Sequence, residues 1–251
     1  MSDSAATDRD GARVHDLSVA GAESYLVEPA DGGRGPAILF LHWFDTDAPD
    51  GNRTQFVDEA VDLAREHGVV SVLPQGQFPW AGAPTDADAD SERIRAEVAR
   101  HRAAVDLLAE RSDVDAGRIG IVGHDFGAMH GVVLAAEDPR IAAAVLIAAT
   151  PRWGDWFLPF WEIAGDRHDY LRALVPLDPI SRIGEVAPRP VCLQFARNDF
   201  FIAPMTGLEL HGAAADLKEM HAYEADHAIR DPQARLDRAV FLGRTLGLDV
   251  S

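Results

Sequence analysis

Three short segments hold residues whose types and order could carry covalent catalysis. The first, Ile119-Gly-Ile-Val-Gly123-His124-Asp125-Phe126-Gly127-Ala128, runs an apolar strand straight into a helix, with glycines two residues either side of Asp125. Small residues there let strand and helix approach around a strained central residue, so the spacing predicts a nucleophile elbow presenting Asp125 at the helix N-terminus. The helix dipole and the free N–H groups of the first turn stabilise negative charge, which suits a carboxylate nucleophile. A plain helix cap at Asp125 is the structural alternative. The second segment, Phe195-Ala-Arg-Asn-Asp199-Phe-Phe-Ile-Ala-Pro204, places Asp199 just beyond a buried-strand pattern, where it can accept a hydrogen bond from an imidazole and fix its tautomer. The third, Ala222-Tyr-Glu-Ala-Asp-His227-Ala, places His227 in the loop after the last strand. Singly, these are a turn aspartate and a loop histidine. In the order nucleophile, acid, histidine, at the ends of three strands, they read as a catalytic triad.

The rest of the chain supplies the elements that such a triad needs. Residues 14–19 and 24–28 flank Gly21 as a short antiparallel pair, and Pro36-Ala-Ile-Leu-Phe-Leu-His42 is a continuous apolar run of buried-strand type. A helix is expected over 52–67, with Asn52 as N-cap and Gln55 three residues on. Further strands are expected at 69–73, 118–123, 141–148, 190–195 and 220–223, and further helices at 91–111, 126–136, 204–214 and 231–246. Strand alternating with helix predicts a mostly parallel α/β sheet with helices on both faces. Residues 152–187 interrupt the rhythm as a short lid. Residues 1–13 read as a disordered acidic tail before a single domain over 14–251.

With these motifs in place, residues 14–246 resemble the α/β-hydrolase superfamily. The short excursion and the stretch Leu177-Asp-Pro-Ile-Ser-Arg-Ile-Gly-Glu-Val-Ala-Pro-Arg-Pro-Val resemble its dienelactone hydrolase and small esterase branch. That branch places Ser or Cys at position 125. Asp there is similar instead to haloalkane dehalogenases and epoxide hydrolases, whose elbow often reads G-H-D-W-G. Two departures bear on substrate: the halide-binding tryptophan of the dehalogenases would fall at Phe126, and the tyrosine pair of the epoxide hydrolases is reduced to Tyr170 in the excursion. The resemblance also implies an oxyanion hole from the backbone N–H groups of Trp43 and Phe126, although Trp43 stands where the family more often has glycine. His42 either holds that loop by hydrogen bonds or takes a direct chemical role.

Aromatic residues gather at the expected mouth: Phe78-Pro-Trp80, then Trp153, Trp156, Phe157, Phe160 and Trp161. Trp80, Trp153 and Trp156 are candidate substrate-binding residues, because indole combines apolar area with one N–H donor and suits an apolar or halide-bearing small molecule. Lid-to-body packing is the alternative. Arg152, Arg167 and His168 could bind a carboxylate or serve as solvated charge. The expected function is therefore hydrolysis of a small organic substrate through an Asp125 ester, of dehalogenase or epoxide hydrolase type. A dienelactone hydrolase-like esterase or lactonase, a ligand-binding homologue and a non-hydrolytic acid–base enzyme are the alternatives.

Composition narrows the partners. The 251 residues are 47% hydrophobic and 25% charged, and 23 basic against 41 acidic residues give a net charge of -18, which disfavours nucleic acid and anionic membrane surfaces. Cys192 is the single cysteine, so no internal disulfide forms, no Cys/His spacing of the zinc kind occurs, and no metal or cofactor is expected. No apolar run has membrane-spanning length, and a reducing cytoplasmic setting fits; a homo-oligomer is compatible with this composition. Asp outnumbers Glu about two to one, and Lys218 is the only lysine. Either salt adaptation or a GC-rich coding sequence accounts for that bias. If it is salt adaptation, carboxylate self-repulsion destabilises the fold in dilute buffer and screening relieves it, so the melting temperature rises between dilute buffer and molar potassium chloride. A flat response selects the coding-sequence explanation.

Overall fold

The computed structural model describes residues 6–45, 47, 52–79 and 81–249. Its strands are β1 (Thr7–Arg9), β2 (Ala12–Val19), β3 (Ala22–Pro29), β4 (Gly35–Leu41), β5 (Val70–Pro74), β6 (Val114–His124), β7 (Ile141–Ile147), β8 (Val191–Ala196) and β9 (Lys218–Tyr223). They form one sheet in the order β1-β2-β3-β5-β4-β6-β7-β8-β9. The first three strands and the β3/β5 pair are antiparallel; from β5 to β9 all pairing is parallel. The helices are α1 (Val57–His67), α2 (Ala87–Glu110), α3 (Phe126–Glu137), α4 (Trp153–Phe160), α5 (Arg167–Leu174), α6 (Pro179–Arg182), α7 (Pro204–Ala213) and α8 (Pro232–Leu246).

Burial explains the pattern. Every residue of β4, β5 and β8 is buried, as expected of strands covered on both faces, whereas β2 alternates and has exposed positions. The alternation of strand faces is visible at two successive positions: a Cβ on Gly120 would meet Leu242 and Leu246 of α8, while Gly131 of α3 lies against Ile121. Helices α1 and α8 are tied to one another by the buried Arg238–Glu59 pair and by Arg235–Asp62. On α2, Asp86 caps the helix by accepting from Ala89 N–H at 2.9 Å, so it begins at Ala87, ahead of the expected residue 91.

Two expectations are corrected. The acidic N-terminal segment is paired into the sheet from Thr7 onward, because β1 and β2 close a hairpin through Asp10 and Gly11, both at positive φ, so residues 7–13 are not a disordered tail. Asn52 is not the N-cap of a long helix: residues 52–54 form a 3₁₀ turn and α1 starts only at Val57. Instead, Asn52 accepts from Asp45 N–H at 2.6 Å and donates to Asp45 C=O at 3.1 Å, fastening the loop after β4.

The junction of β6 with α3 is tightly packed. Asp125 lies between them at φ 55° and ψ −120°. A Cβ on Gly123 would fall 2.6 Å from Ala128 Cα, and one on Gly127 would fall 2.2 Å from the Leu41 carbonyl oxygen. A side chain at Gly123 would push α3 from β6, and one at Gly127 would push it from the end of β4. Gly127→Ala is therefore expected to cost about 3 kcal/mol or more in urea unfolding, at or beyond the upper end of overpacking penalties. Gly212→Ala is the control: it is an exposed position of α7 where a Cβ meets nothing within 4 Å, so it is expected to be neutral or mildly stabilising.

Candidate active site

The elbow turns the Asp125 side chain inward, where it is 1% exposed. The loops after β8 and β9 bring two more groups to the same edge of the sheet. His227 Nδ1 lies 2.8 Å from Asp199 Oδ2, and His227 Nε2 lies 3.9 Å from Asp125 Oδ2. Asp199 is itself pinned, with Oδ1 accepting from the N–H groups of Phe201 at 2.8 Å and Ile202 at 3.0 Å. Since a carboxylate oxygen can only accept from the ring, His227 carries a proton on Nδ1 and turns Nε2 toward Asp125. The three residues expected to act together are thus in one place.

The two oxygens of Asp125 differ. Oδ2 accepts from Phe44 N–H at 3.1 Å, and Oδ1 is buried with no hydrogen-bond partner. This corrects the expected oxyanion hole: Trp43 N–H points away and donates to Gln55 Oε1 at 2.8 Å, so the inward donor is the next residue, Phe44. Phe126, the other expected donor, begins α3, where a first-turn N–H has no acceptor within the helix. His42 holds this loop from behind, its Nδ1–H on Trp43 C=O at 2.6 Å and its Nε2 accepting from Gly76 N–H at 2.7 Å. Burial lowers the His42 pKa to about 4, against the Trp43 carbonyl and Glu97, so the ring is neutral in that role.

A relay absent from the sequence reading joins the loop to the histidine. Gln55, which accepts from Trp43 N–H, donates from Nε2 to His124 Nδ1 at 2.6 Å; His124 Nε2–H then donates to the His227 carbonyl at 2.9 Å. Burial holds the pKa of His124 well below its usual value, which keeps Nδ1 free to accept. Gln55 had signalled a helix cap and His124 only elbow spacing, and neither signal reveals a contact across the sheet.

Beyond His227 a cleft of about 640 Å³ is lined by Trp43, Phe44, Trp156, Phe160, Trp161 and Phe201, with Asp45, Asp226 and Arg230 toward solvent. Trp156 packs edge-on to His227 at 5.8 Å and against Phe126 at 5.3 Å, and its indole N–H is buried without a partner. Trp153 does not line the cleft. It is fully buried, stacks on Phe126, and spends its indole N–H on Leu177 C=O at 2.8 Å, which makes it packing between lid and body. Trp80 lies outside the described residues. Arg152 pairs with Glu209. The exposed Phe200 and the half-exposed Phe201, not singled out from sequence, form the outer flank.

The dienelactone hydrolase family profile matches residues 23–239. The chain belongs to the dienelactone hydrolase family. Among solved structures it is similar to a cold-adapted esterase from an Arctic intertidal metagenomic library, at 21% identity and TM-score 0.68 over 96% of this chain and 97% of that one. It is also similar to acetyl xylan esterase 1 from Thermoanaerobacterium sp. JW/SL YS485, at 15% identity and TM-score 0.69 over 95% and 86%. No curated protein matches. As a family member it is a hydrolase with the α/β-hydrolase fold, and no helix among the described residues is long and apolar enough to cross a membrane.

In this dienelactone hydrolase family member the carboxylate at the elbow dominates the electrostatics of the site. Burial raises the Asp125 pKa, with the charge of Asp199 adding to the shift and His227 and Phe44 N–H opposing it. Burial also lowers that of His227, but the charge of Asp125 at 3.9 Å and the hydrogen bond and charge of Asp199 together outweigh it and bring His227 to about 9. At neutral pH the ring is therefore an imidazolium facing Asp125. Nitrogen-15 NMR of labelled histidine is expected to show this ring titrating near pH 9, and Asp125→Asn, which removes one of the two charges, to bring the transition down. An unchanged titration would mean that Asp199 alone holds the proton.

Proposed function

We propose that the protein hydrolyses a small electrophilic alkyl compound, a haloalkane or epoxide, through an ester on Asp125. The asymmetry of the Asp125 carboxylate carries this reading. An alkyl–enzyme mechanism needs one oxygen free to attack and the other, the future ester carbonyl, held by an N–H donor; Oδ1 and Oδ2 match these two requirements. An ester substrate needs the donor for its own carbonyl oxygen, and Asp125 Oδ2 occupies it.

In the first step Oδ1 attacks the electrophilic carbon, a carbon–oxygen bond forms, and the bond to the leaving atom breaks with its electron pair. Attack requires an ionised Asp125 and no base. The ester is uncharged, so its formation removes the Asp125 contribution that raised the His227 pKa, while burial, which lowers it, remains. His227 thereby gives up its Nε2 proton, to solvent beside a departing halide or to the oxygen of an opened epoxide, and becomes a base only after alkylation. It takes a proton from water as the water oxygen adds to the ester carbon, and Phe44 N–H stabilises the charge on Oδ2. Collapse releases the alcohol, and the proton on His227 completes its hydroxyl. The aromatic cleft suits an apolar substrate, and Trp156 and Phe201 must swing aside for access, because Asp125 does not line the cleft. Family membership favours an ester or lactone, which would have to displace Oδ2 from Phe44 N–H.

His227→Gln tests the assignment against a panel of short haloalkanes, epoxides and nitrophenyl esters. Turnover is expected to fall by about 10²–10⁴-fold, the range of a lost general base, while the alkyl ester accumulates on Asp125 and is seen by intact mass and peptide mapping. Wild-type enzyme after one turnover in oxygen-18 water carries the label in Asp125. Product formed with neither adduct nor label removes Asp125 as nucleophile. The pH profile gives a second check: because the Asp125 pKa is raised, single-turnover alkylation loses rate on the acid side above the usual carboxylate range and does not gain rate as His227 loses its proton near pH 9. A water-first mechanism with His227 as base would instead rise toward pH 9.

A further inference from the structure

At the opposite, N-terminal ends of β8 and β9, well away from the catalytic edge, three metal-ligating side chains converge. Parallel pairing sets Cys192 beside Glu219 and puts His221 two residues further along the same face of β9. One donor atom from each of Cys192, Glu219 and His221 lies within 4.8 Å of the others. We propose that Cys192 Sγ, Glu219 Oε1 and His221 Nε2 form a binding site for a zinc-class divalent cation, with water in the fourth position.

The groups around the cluster orient it for that purpose. His221 Nε2 faces Glu219 Oε1 at 3.5 Å, and its Nδ1 faces Asp237 Oδ2 of α8, also at 3.5 Å. A carboxylate behind a ligating imidazole fixes the tautomer and raises basicity, as is usual for metal-bound histidines. Asp237 is in turn held by Tyr223 O–H at 2.8 Å and Gln233 Nε2 at 2.7 Å. Arg244 donates to Glu219 Oε2 at 2.7 Å, which leaves Oε1 for the ion. Sulfur, imidazole and carboxylate together favour zinc over calcium or magnesium. Tetrahedral coordination places such donors roughly 3.3–3.8 Å apart, a small closing movement from the observed spacing. Cys192 is fully buried, but the side chains of Glu219 and His221 are 30% and 34% exposed and give the ion its entry. On binding, the thiol proton leaves to solvent and a sulfur–metal bond replaces it. The ion would clip the last strand of the sheet to its neighbour.

Cys192 is the only cysteine, so any thiolate–metal absorption reports this position alone. The untagged full chain, stripped with chelator, is titrated with cobalt(II). A thiolate-to-cobalt charge-transfer band is expected to saturate at one equivalent and to vanish when zinc is added. Cys192→Ser removes the band. His221→Gln and Glu219→Gln each weaken cobalt binding at least about tenfold, and Asp237→Asn weakens it about 10–100-fold while keeping the band. Circular dichroism confirms folding, and either of the two ligand variants suffices if the other does not fold. Cobalt bound without the band, no cobalt bound, or a band of equal affinity in the folded ligand variants overturns the site.

Discussion

The contact on which the catalytic edge depends is the approach of α3 to β4, where Gly127 lies under the Leu41 carbonyl so closely that no Cβ fits between them. Because α3 can press against the end of β4, the loop that continues from β4 passes directly over the elbow and sets Phe44 N–H on Asp125. The same approach forces the left-handed backbone at Asp125, a strained conformation for a non-glycine residue that the surrounding packing must hold. The strain at Asp125 and the Phe44 donor on its carboxylate both accompany this one close contact. The loop donors are then fixed from two sides, by His42 beneath and by Gln55 across the sheet.

Electrostatics does the remaining work in a confined volume. The chain carries a large negative excess, yet its catalytic edge buries two aspartates around one imidazole and surrounds them with rings. A buried carboxylate without full hydrogen bonding is costly, and a positive charge beside it offsets much of that cost. The raised pKa of His227 expresses this mutual dependence. Imidazolium and carboxylate stabilise one another.

Much of this was legible in the sequence, for identifiable reasons. The parallel sheet followed from the apolar runs at β4, β6 and β7, and the elbow from Gly123 and Gly127, since these signals are local. The pairing of Asp199 with His227 was readable as an order of motifs. What escaped was set by registers and partners distant in sequence. A shift of one residue decides whether Trp43 or Phe44 points inward, and it turns on where Gln55 finds an acceptor role. Trp153 and Trp156 lie three apart on α4 and share a composition signal, but Trp153 meets Leu177 and is sealed, whereas Trp156 faces His227. The paired N-terminal hairpin was hidden because acidic residues mask a short strand whose turn is set by backbone angles.

The same limit accounts for the cluster at Cys192. In sequence, Cys192 and His221 are far apart and match no ligand spacing, and only strand register makes them neighbours. A parallel sheet brings residues into contact at both of its ends, and each end offers different chemistry. At the carboxyl ends the chain leaves the strands through loops and meets helix N-termini, so groups there are mobile enough to react and face a positive dipole. At the amino ends, near-straight strands hold side chains in rigid ladders, which suits an ion needing fixed donors more than a reaction needing movement. Placing the thiol in the rigid ladder and the buried carboxylate on the elbow keeps the two sites apart, so that an ion held at Cys192 would leave the Asp125–His227 pair undisturbed.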